Sequence, residues 1–306
     1  DLIETFVDRG DEMLQFFENA TGANYTLSPS PDYHPEKDGG KEIGRVLGIE
    51  NYNGARSGGA LIAAMADAIE QAGGTIERST PADGLIADVF GRVRGVRATS
   101  NGEEIAIKAK KGVILAAGGF EWDEEMKTHY LRGPTPYANT PPKDNTGDGI
   151  KMAQELGADL RNMNECWGLP LYRLPDQDLA VVDWFLWRSK PGAIMVNSNG
   201  ERFANESGDY DTIWRSFFTW DNFGETEYRN IPGYIIVDNE HWNNYAFAGI
   251  SPGSEPPEWV EQATTIEGLS EQLGIDPEGL ATTIETFNQY VENGEDPDYH
   301  RGESTF

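Results

Sequence analysis

One apolar stretch, Lys111-Gly112-Val113-Ile114-Leu115-Ala116-Ala117-Gly118-Gly119-Phe120, constrains the fold more than any other part of this chain. Its centre predicts a buried strand, which runs into two glycines and an aromatic residue with no polar side chain between them. A side chain at Gly118 or Gly119 would fill the space through which a flat ligand or a pyrophosphate reaches the main chain. The stretch therefore indicates a close-approach site, and an ordinary strand-to-loop turn explains these residues equally well on their own.

Length and composition predict a globular protein of one large or two ordinary domains. The chain has 306 residues, of which 38% are hydrophobic and 11% aromatic, enough to bury a core. No apolar run approaches the roughly 18 residues that a membrane span requires. The single cysteine, Cys166, excludes an internal disulfide framework and fits a reducing cytoplasm, where a small core residue is its simplest role. No metal site is predicted, because the histidines lack metal-ligand spacing: His34, His129, His241 and His300.

The charge balance is strongly acidic. The chain carries 52 acidic and 24 basic side chains, a formal net charge of −28. A surface this negative repels phosphate, so nucleic acid is excluded as a partner. An acidic, lysine-poor surface is also suited to high salt, where ions screen the self-repulsion.

Hydrophobic periodicity predicts alternating helices and strands in the first half of the chain. The pattern predicts a helix pair interrupted at Gly10, a long loop, an amphipathic helix ended by Gly73-Gly74, a strand and an antiparallel meander with a tight turn at Asn101-Gly102. This order of elements is an α/β arrangement of the kind that surrounds a nucleotide. The predicted ranges are 1–20, 25–56, 58–72, 75–80 and 85–108, followed by the 113–115 strand.

Two further features follow along the chain. Asn145-Thr146-Gly147-Asp148-Gly149 opens a short helix, with Thr146 or Asp148 as its cap and free N–H groups available to an anionic or carbonyl-rich ligand; a capped surface helix is the alternative. Between Trp167 and Phe247 lie seventeen aromatic residues. This change in composition predicts a second domain, which ends in two helices over residues 266–291 broken at Ile275-Asp276-Pro277.

Six segments in this order resemble the fumarate reductase and 3-ketosteroid dehydrogenase superfamily of FAD-dependent oxidoreductases, and within it the 3-ketosteroid Δ1-dehydrogenase branch. The resemblance implies an α/β fold: a partial Rossmann-like FAD-binding domain with an antiparallel β-meander at residues 1–166, and an α+β cap that binds substrate at residues 167–306. It also implies FAD as the cofactor. The segments are Pro31-Asp32-Tyr33-His34-Pro35-Glu36, residues 91–96, residues 114–120, Gly147-Asp148-Gly149-Ile150, residues 197–206 and residues 296–303.

The chain departs from this superfamily at both ends. No Gly-x-Gly-x-x-Gly turn occurs in residues 1–30, and the glycine-rich stretch that closes over the flavin does not follow Phe306. We therefore expect the sequence to be the central part of a longer flavoprotein that binds FAD poorly by itself. A further chain supplying the remaining FAD-domain parts is one predicted partner.

The resemblance implies two catalytic tyrosines. In fumarate and urocanate reductases an arginine that donates a proton follows the Arg-Phe-x-Asn-Glu segment, whereas Tyr210 occupies that position here. A phenol relays a proton but does not clamp a carboxylate as a guanidinium does. In the Δ1-dehydrogenases this tyrosine is the base, and a second one, matched by Tyr33, stabilises its phenolate. Buried tyrosines with satisfied hydroxyls are the structural alternative.

The resemblance also implies binding residues. We expect FAD to contact Ala82 and the backbone of residues 117–119 near its adenosine and pyrophosphate, and two side chains nearer its isoalloxazine. Aromatic residues of the cap are expected to line a wide apolar substrate pocket, and two polar residues to brace the active-site loop. The cofactor residues are Ala82, Ala117, Gly118, Gly119, Thr146 and Asp148, and the pocket residues are Trp167, Trp187, Trp214, Asn205 and Glu206.

The sequence thus predicts an FAD-dependent dehydrogenase that introduces a C=C bond next to the ketone of an apolar, steroid-like substrate. One alternative is a reductase of enoates or enones, as in fumarate-reductase relatives, against which Tyr210 in place of arginine argues. Another is a non-catalytic, truncated or split subunit that binds substrate or assists assembly.

Overall fold

The computed structural model describes residues 1–30, 32, 34–43, 46–133, 143–172, 188–222, 227–247 and 249–303. The chain forms two compact units. The first is built from Asp1–Ala82 and Ala98–Ala106, the second from Asp83–Arg97 and Ile107–Ser304. The domain boundary between residues 166 and 167 stays a prediction.

The first unit contains the predicted helix pair. Helix α1 (Leu2–Asp8) begins with a capping box, in which the Asp1 side chain accepts hydrogen bonds from the N–H groups of Ile3 and Glu4. Helix α2 (Gly10–Thr21) follows after Arg9 and ends at Gly22, whose φ is 67°. The predicted amphipathic helix is confirmed as α3 (Ser57–Gln71).

The long predicted loop of this unit contains a small sheet. Strands β1 (Tyr25–Leu27) and β2 (Leu47–Ile49) pair antiparallel, with Tyr25 opposite Ile49. A loop prediction over 25–56 is therefore wrong at these two strands. Three residues are too few to show an alternating pattern, and their pairing is set by a partner far along the chain.

The predicted meander is confirmed as a three-stranded sheet in the order β3-β4-β5. Asn101 and Gly102 both have positive φ angles, 52° and 82°, as the tight turn between β4 and β5 requires. The strands are β3 (Ala82–Ala87), β4 (Val93–Ser100) and β5 (Glu103–Lys108).

Two other predicted strands are not part of any sheet. Within the described ranges, no strand pairs with residues 75–80 or with Val113–Leu115. Ile114 is 92% exposed, so the prediction of a buried strand there is wrong. Apolar sequence favours a strand, but extended backbone becomes one only when a neighbour completes its hydrogen-bond ladder.

The core of the second unit surrounds one buried strand. Strands β6 (Ala193–Val196) and β7 (Tyr234–Val237) pair antiparallel, and all four β6 residues are buried. Because side chains alternate along a strand, Ala193 and Met195 join one hydrophobic cluster with Ile213, while Ile194 and Val196 join another. Strand β6 is therefore covered on both faces.

Helices complete these two clusters. The predicted terminal pair is confirmed as α8 (Ile266–Leu273) and α9 (Pro277–Asn293), capped by Thr265 and Asp276, and Leu280 of α9 is buried in the second cluster. The other helices of the described residues are α4 (Glu124–Tyr130), α5 (Asp148–Glu155), α6 (Tyr210–Ser216) and α7 (Asn239–Asn244). None of the helices in these ranges is long and apolar enough to cross a membrane.

Candidate active site

A tight turn after β6 starts the loop that leads to Tyr210. The Asn197 side-chain oxygen accepts hydrogen bonds from the N–H groups of Asn199, at 3.0 Å, and Glu201, at 3.1 Å. Gly200 has a φ of 73°, and a Cβ there would lie 2.2 Å from the backbone nitrogen of Leu280. Only glycine fits, because the turn presses against the first turn of α9.

A buried network of charged side chains fixes the next part of the loop. The Arg202 guanidinium donates to both carboxylate oxygens of Glu206, at 3.0 and 2.8 Å, and to both of Asp296, at 3.2 and 2.9 Å. Burial works to lower the pKa of Arg202, but the two carboxylates raise it above its ordinary value. Burial works to raise the pKa of Asp296, but Arg202 holds it below its ordinary value. The network joins the 197–206 and 296–303 segments.

Two further arginines hold the same loop. Arg301 donates to Glu206 at 3.2 Å and to the carbonyl of Ala193 at 2.6 Å. Arg188 donates to the carbonyl oxygens of Glu206 and, at 2.6 Å, Gly208. Glu206 also accepts from the N–H of Met195 at 3.0 Å, which ties the loop to β6.

Asn205 forms hydrogen bonds with other residues of the same loop. The Asn205 side chain accepts from the N–H of Ser207 at 2.8 Å, and its carbonyl accepts from the N–H of Gly208 at 2.9 Å. Asp209 then caps α6 by accepting from the N–H of Thr212 at 2.9 Å. The chain from 197 to 209 is thus held at successive points up to the residue where α6 begins, Tyr210.

Tyr210 lies half-buried against the first hydrophobic cluster of the second unit. Its ring stacks on that of Trp167, with 6.2 Å between ring centroids and 15° between planes. Burial raises the pKa of Tyr210 above its ordinary value, an interaction with the Trp167 side chain lowers it, and the charges of Asp211 and Asp209 raise it. In this environment the neutral phenol is the favoured form.

The residue after Trp167 contacts Trp214, another of the predicted pocket tryptophans. The N–H of Gly168 donates to Asp211 at 3.2 Å, and a Cβ on Gly168 would lie 2.1 Å from the Trp214 ring. Trp214 in turn packs edge-on against Phe218, with 4.8 Å between centroids. The segment that carries Trp167 is therefore fastened to α6, the helix that begins with Tyr210.

The charged groups around this point are mostly acidic. Arg215 forms ion pairs with Asp211, at 2.8 Å, and with Glu165, at 3.0 Å, and Glu165 also lies 3.7 Å from Arg132. Asp209 stands before the helix, and both arginines are already paired with carboxylates. An anionic ligand finds no favourable partner among these groups.

The predicted cofactor residues of the second unit also come together. Gly118 has a φ of 77°, and a Cβ there would lie 2.2 Å from the Asn145 side-chain oxygen. The N–H of Gly147 donates to the carbonyl of Gly119 at 3.0 Å, and a Cβ on Gly149 would lie 3.5 Å from that of Ala117. Residues 117–119 therefore pack against the start of α5.

Two details of that region differ from the sequence analysis. The space beside Gly118 is filled by a side chain of the protein, so its lack of a Cβ is explained by internal packing. The prediction that Thr146 or Asp148 caps α5 is wrong, because Gly147 occupies the cap position without a side-chain hydrogen bond. Instead the Thr146 hydroxyl donates to Asp148 at 2.8 Å. A left-handed backbone at Gly147 turns the chain into the helix.

These residues fit part of an FAD molecule. Ala116, Ala117 and Gly118 are exposed and small, so a planar or sugar group can lie against their main chain. The neighbouring side chains are Asn145, Glu121, Thr146 and Asp148. Carboxylates and amides accept hydrogen bonds from hydroxyl groups, and the carboxylates of Glu121 and Asp148 repel phosphate, so the region suits the hydroxyl-bearing and planar parts of the cofactor better than its pyrophosphate.

Three predicted site residues remain: Ala82, Tyr33 and Trp187. Ala82 begins β3 and belongs to the first unit. Tyr33 and Trp187 lie outside the described residues. No group of three or more potential metal ligands is found in the part of the chain that the structure describes.

Sequence reasoning did not assign roles to the arginines that hold the loop. Arg202 and Arg301 lie inside the quoted 197–206 and 296–303 segments, but Arg202 and Asp296 are 94 positions apart. The sequence did contain one indication of this contact: one quoted segment carries an arginine, and the other carries several acidic residues. Arg188 carries no such local signal.

The fold of this chain has a match among solved structures. It matches the crystal structure of 3-ketosteroid delta1-dehydrogenase from Sterolibacterium denitrificans in complex with 1,4-androstadiene-3,17-dione with a TM-score of 0.87, over 98% of this chain and 67% of that chain, at 24% identity. Residues 1–305 match the FAD binding domain family. The chain belongs to that family, which confirms the predicted α/β fold and FAD as its cofactor.

Two similar proteins have assigned activities. The 4-oxocyclohexanecarboxylate 2-dehydrogenase of Sinomonas cyclohexanicum is 30% identical over 361 residues, covering 100% of this chain and 62% of that protein. The 3-oxosteroid 1-dehydrogenase of Mycobacterium tuberculosis is 30% identical over 382 residues, covering 99% of this chain and 67% of that protein. The chain thus spans about two thirds of their length. Both alignments exceed its 306 residues, so the relatives carry additional residues inside the matched region.

Proposed function

We propose that this chain carries the proton-accepting side of an FAD-dependent dehydrogenase, which introduces a C=C bond next to the ketone of a ring. The observation that carries this proposal is the placement of Tyr210. It begins α6 directly after a loop that the buried charge network holds. The family resemblance of the 197–206 segment implies that an arginine occupies this place in reductases. A fixed loop suits a catalytic group, because small displacements of a reacting atom cost large factors in rate.

In the proposed reaction, Tyr210 as phenolate removes a proton from the carbon next to the carbonyl group. Bound FAD supplies the acceptor for the hydride that leaves the adjacent carbon, so that the two C–H electron pairs become one C=C bond and one reduced cofactor. Tyr210 keeps the proton until solvent takes it. The carbon acid is weak, so the phenolate form of Tyr210 is the state that this role requires.

The proposed substrate is an uncharged, largely apolar ring ketone of the steroid type. Asp209 and Asp211 flank Tyr210, and Arg215 of the same helix is already paired with Asp211 and Glu165. A carboxylated substrate would bring a further negative charge beside the two aspartates. Both named relatives act on ring ketones, one with a carboxylate and one without, and the local charges favour the second kind.

The test compares Tyr210→Phe with Tyr228→Phe, a tyrosine that packs on Trp220, in the flavin-loaded protein. We expect Tyr210→Phe to lower kcat for a 3-ketosteroid by about 10²–10⁴-fold, the usual contribution of a general base, with an unchanged flavin spectrum. Tyr228→Phe should retain the parent rate. Unchanged dehydrogenation by Tyr210→Phe would refute the role of this tyrosine.

The substrate assignment has its own measurement. Steroid ketone and 4-oxocyclohexanecarboxylate are compared by kcat/KM on the parent protein. We expect the steroid to be preferred because of the acidic surroundings of Tyr210. A preference for the carboxylate, or reoxidation of reduced flavin by an enoate in place of either dehydrogenation, would overturn it.

A further inference from the structure

One end of the β3-β4-β5 sheet is basic, in contrast to the chain as a whole. The turn between β3 and β4 meets the end of β5 there, where the N–H of Ala109 donates to the carbonyl of Arg94 at 2.8 Å. Segments 88–94 and 108–111 together carry five basic side chains and one acidic one, although the net charge of the chain is −28. We call these two segments the sheet tip. Its basic residues are all exposed: Arg92, Arg94, Lys108, Lys110 and Lys111.

Two large apolar side chains lie in water at the sheet tip. Val89 is 93% exposed and Phe90 is 84% exposed. Single exposed apolar residues are ordinary, but tight turns mostly contain glycine, asparagine, aspartate or serine. Two adjacent apolar residues at one turn form an apolar point that this fold does not bury, which is typical of an interaction surface.

The turn that carries these two residues is held by hydrogen bonds. The Asp88 side chain accepts from the N–H groups of Phe90 and Arg92, both at 3.0 Å, and from Nε of Arg94 at 2.8 Å. The N–H of Asp88 donates to the carbonyl of Arg92 at 2.9 Å. The turn therefore keeps Val89 and Phe90 at a fixed place, and they do not fold back onto the sheet.

We propose that the sheet tip docks the protein on the surface of a lipid bilayer with anionic headgroups. Val89 and Phe90 enter the apolar layer below the headgroups, and the basic side chains lie against the headgroups. Apolar burial and charge attraction add in such binding, and either one alone gives only weak, reversible contact. The inference goes beyond the proposed reaction and does not depend on Tyr210.

The acidity of the chain does not prevent this contact. At physiological ionic strength the screening length is about 8 Å, so the charges at the contact outweigh those further away. The only acidic side chain of the sheet tip, Asp88, is paired with Arg94 at 2.8 Å. The surface that meets the headgroups is therefore positive.

The shape and composition of the sheet tip favour lipid over two other partners. A stable protein interface buries about 1,200 Å² or more in total, whereas a single turn is narrow, and a bilayer requires no complementary shape. A nucleic acid would pair with the basic side chains but would leave Val89 in water, and the acidic remainder of the chain would repel a long polyanion.

Sedimentation with lipid vesicles tests the proposal on the flavin-loaded protein. One set of vesicles is phosphatidylcholine alone, and the other is phosphatidylcholine mixed with phosphatidylserine. We expect the protein to bind the anionic vesicles at least about tenfold more strongly than the neutral ones. Absence of binding to the anionic vesicles, or equal binding to both sets, would overturn the inference.

Charge reversal tests the basic side chains. The double variant Lys110→Glu/Lys111→Glu should lower the partition coefficient on anionic vesicles by at least about tenfold. Lys37→Glu/Lys41→Glu makes the same change in charge at two exposed lysines of the first unit and should bind as the parent does. Equal losses in the two double variants would mean that net charge alone governs binding, contrary to the proposal.

Replacement of the aromatic side chain tests the apolar point. Phe90→Ser should lower the partition coefficient by about tenfold, because the ring no longer leaves water on binding. Val291→Ser, at an exposed apolar residue of α9, is the matched control and should bind as the parent does. All these positions are exposed, so circular dichroism should show folded variants. Binding of Phe90→Ser at the strength of the parent would show that the sheet tip does not enter the lipid and would overturn the inference.

The depth of the contact has a direct readout. In Phe90→Trp, the additional indole should be quenched by phosphatidylserine-containing vesicles whose acyl chains carry bromine, in excess of the quenching seen for the parent. No excess quenching would place residue 90 outside the apolar layer, against the proposal. Binding of the parent to a single-stranded oligonucleotide with no binding to vesicles would assign the sheet tip to nucleic acid and likewise overturn it.

Discussion

Two glycine-bearing segments of the second unit, 197–209 and 111–119, have opposite relations to the core. In the first, Gly200 presses on the backbone of α9 and the following residues are held by buried charges. In the second, Ile114 is 92% exposed, and the atoms nearest to a Cβ added at Gly118 belong to the side chain of Asn145. The sequence analysis predicted a close backbone approach only in the second segment.

The difference shows that a glycine in a motif does not by itself indicate a ligand site. Gly200 is required by backbone that lies next to it, so its reason is contained in the fold. Gly118 is required by its φ of 77° and by one flexible side chain. A small residue marks a close approach in both segments, but only neighbouring atoms tell whether the partner is the protein itself.

The largest expected effect comes from breaking the buried charge network. Arg202→Ala removes the partner of Glu206 and Asp296, whose side chains are buried. An uncompensated buried charge costs about 3–5 kcal/mol, so the free energy of unfolding, measured with urea, should fall by about that amount.

The control for this change is Arg229→Ala. Arg229 is an exposed arginine paired with Glu201 at 2.8 Å. Surface pairs contribute at most about 1 kcal/mol, so this variant should resemble the parent. Equal losses in the two variants would show that burial of the network does not matter.

Elements of the fold that depend on residues close together in sequence were predicted, and those that depend on distant residues were missed. Helices α2, α3 and α9 were predicted because their apolar period and their capping residues are local, as with Asp276 before Pro277. The short pair β1 and β2 was missed because it joins residues about twenty positions apart.

The candidate site shows the same division. Tyr210 follows a recognisable segment, and the packing of residues 117–119 against the start of α5 joins two segments that the sequence had singled out separately. The contact between Arg202 and Asp296 spans 94 positions, and no period or propensity encodes it. The stack of Trp167 on Tyr210 depends on Gly168 meeting Trp214, which is likewise a tertiary contact.

The next prediction contrasts two isoleucines of the second unit. Ile213 is 1% exposed within the first hydrophobic cluster, whereas Ile114 lies in the exposed segment. Ile213→Ala should lower the free energy of unfolding by about 2–5 kcal/mol, through lost burial and the cavity left behind. Ile114→Ala should change it by less than about 0.5 kcal/mol. A large loss at Ile114 would mean that this segment packs against something when the chain is folded.

Alanine substitution of the glycines tests the comparison itself. At Gly200 the new Cβ meets backbone and the φ is 73°, so we expect a loss of at least about 1–3 kcal/mol. At Gly118 the φ is equally unfavourable, but the Asn145 side chain can move aside, so the loss should be the smaller of the two. Gly112 has no neighbour within 4 Å, and Gly112→Ala is the control with no loss expected. If urea unfolding shows a larger loss for Gly118→Ala than for Gly200→Ala, the predicted order of the two losses is wrong.

A smaller effect is expected on the acid side of the pH profile. The pKa of Asp296 lies below its ordinary value in the folded chain, with burial opposing the shift and Arg202 producing it. Its contribution to stability is therefore present above the unfolded pKa of about 4 and is lost as the pH falls through the folded pKa. Asp296→Asn should flatten the loss of stability measured below about pH 4, whereas Glu125→Gln, at an exposed carboxylate, should leave the slope as it is. An unchanged slope in Asp296→Asn would exclude this carboxylate as a source of acid sensitivity.

The smallest expected effect is that of salt on stability, which should differ between exposed and buried ion pairs. With a net charge of −28, the folded chain repels itself, and about 1 M KCl shortens the screening length to roughly 3 Å, so the parent should become more stable. Salt reaches the exposed pair of Arg229 and Glu201, and the few tenths of a kcal/mol lost in Arg229→Ala should vanish. It does not reach Glu206 and Asp296, which are buried, so the loss in Arg202→Ala should persist at the same size. Salt rescue of Arg202→Ala would place the network in contact with solvent and remove its distinction from the surface pairs.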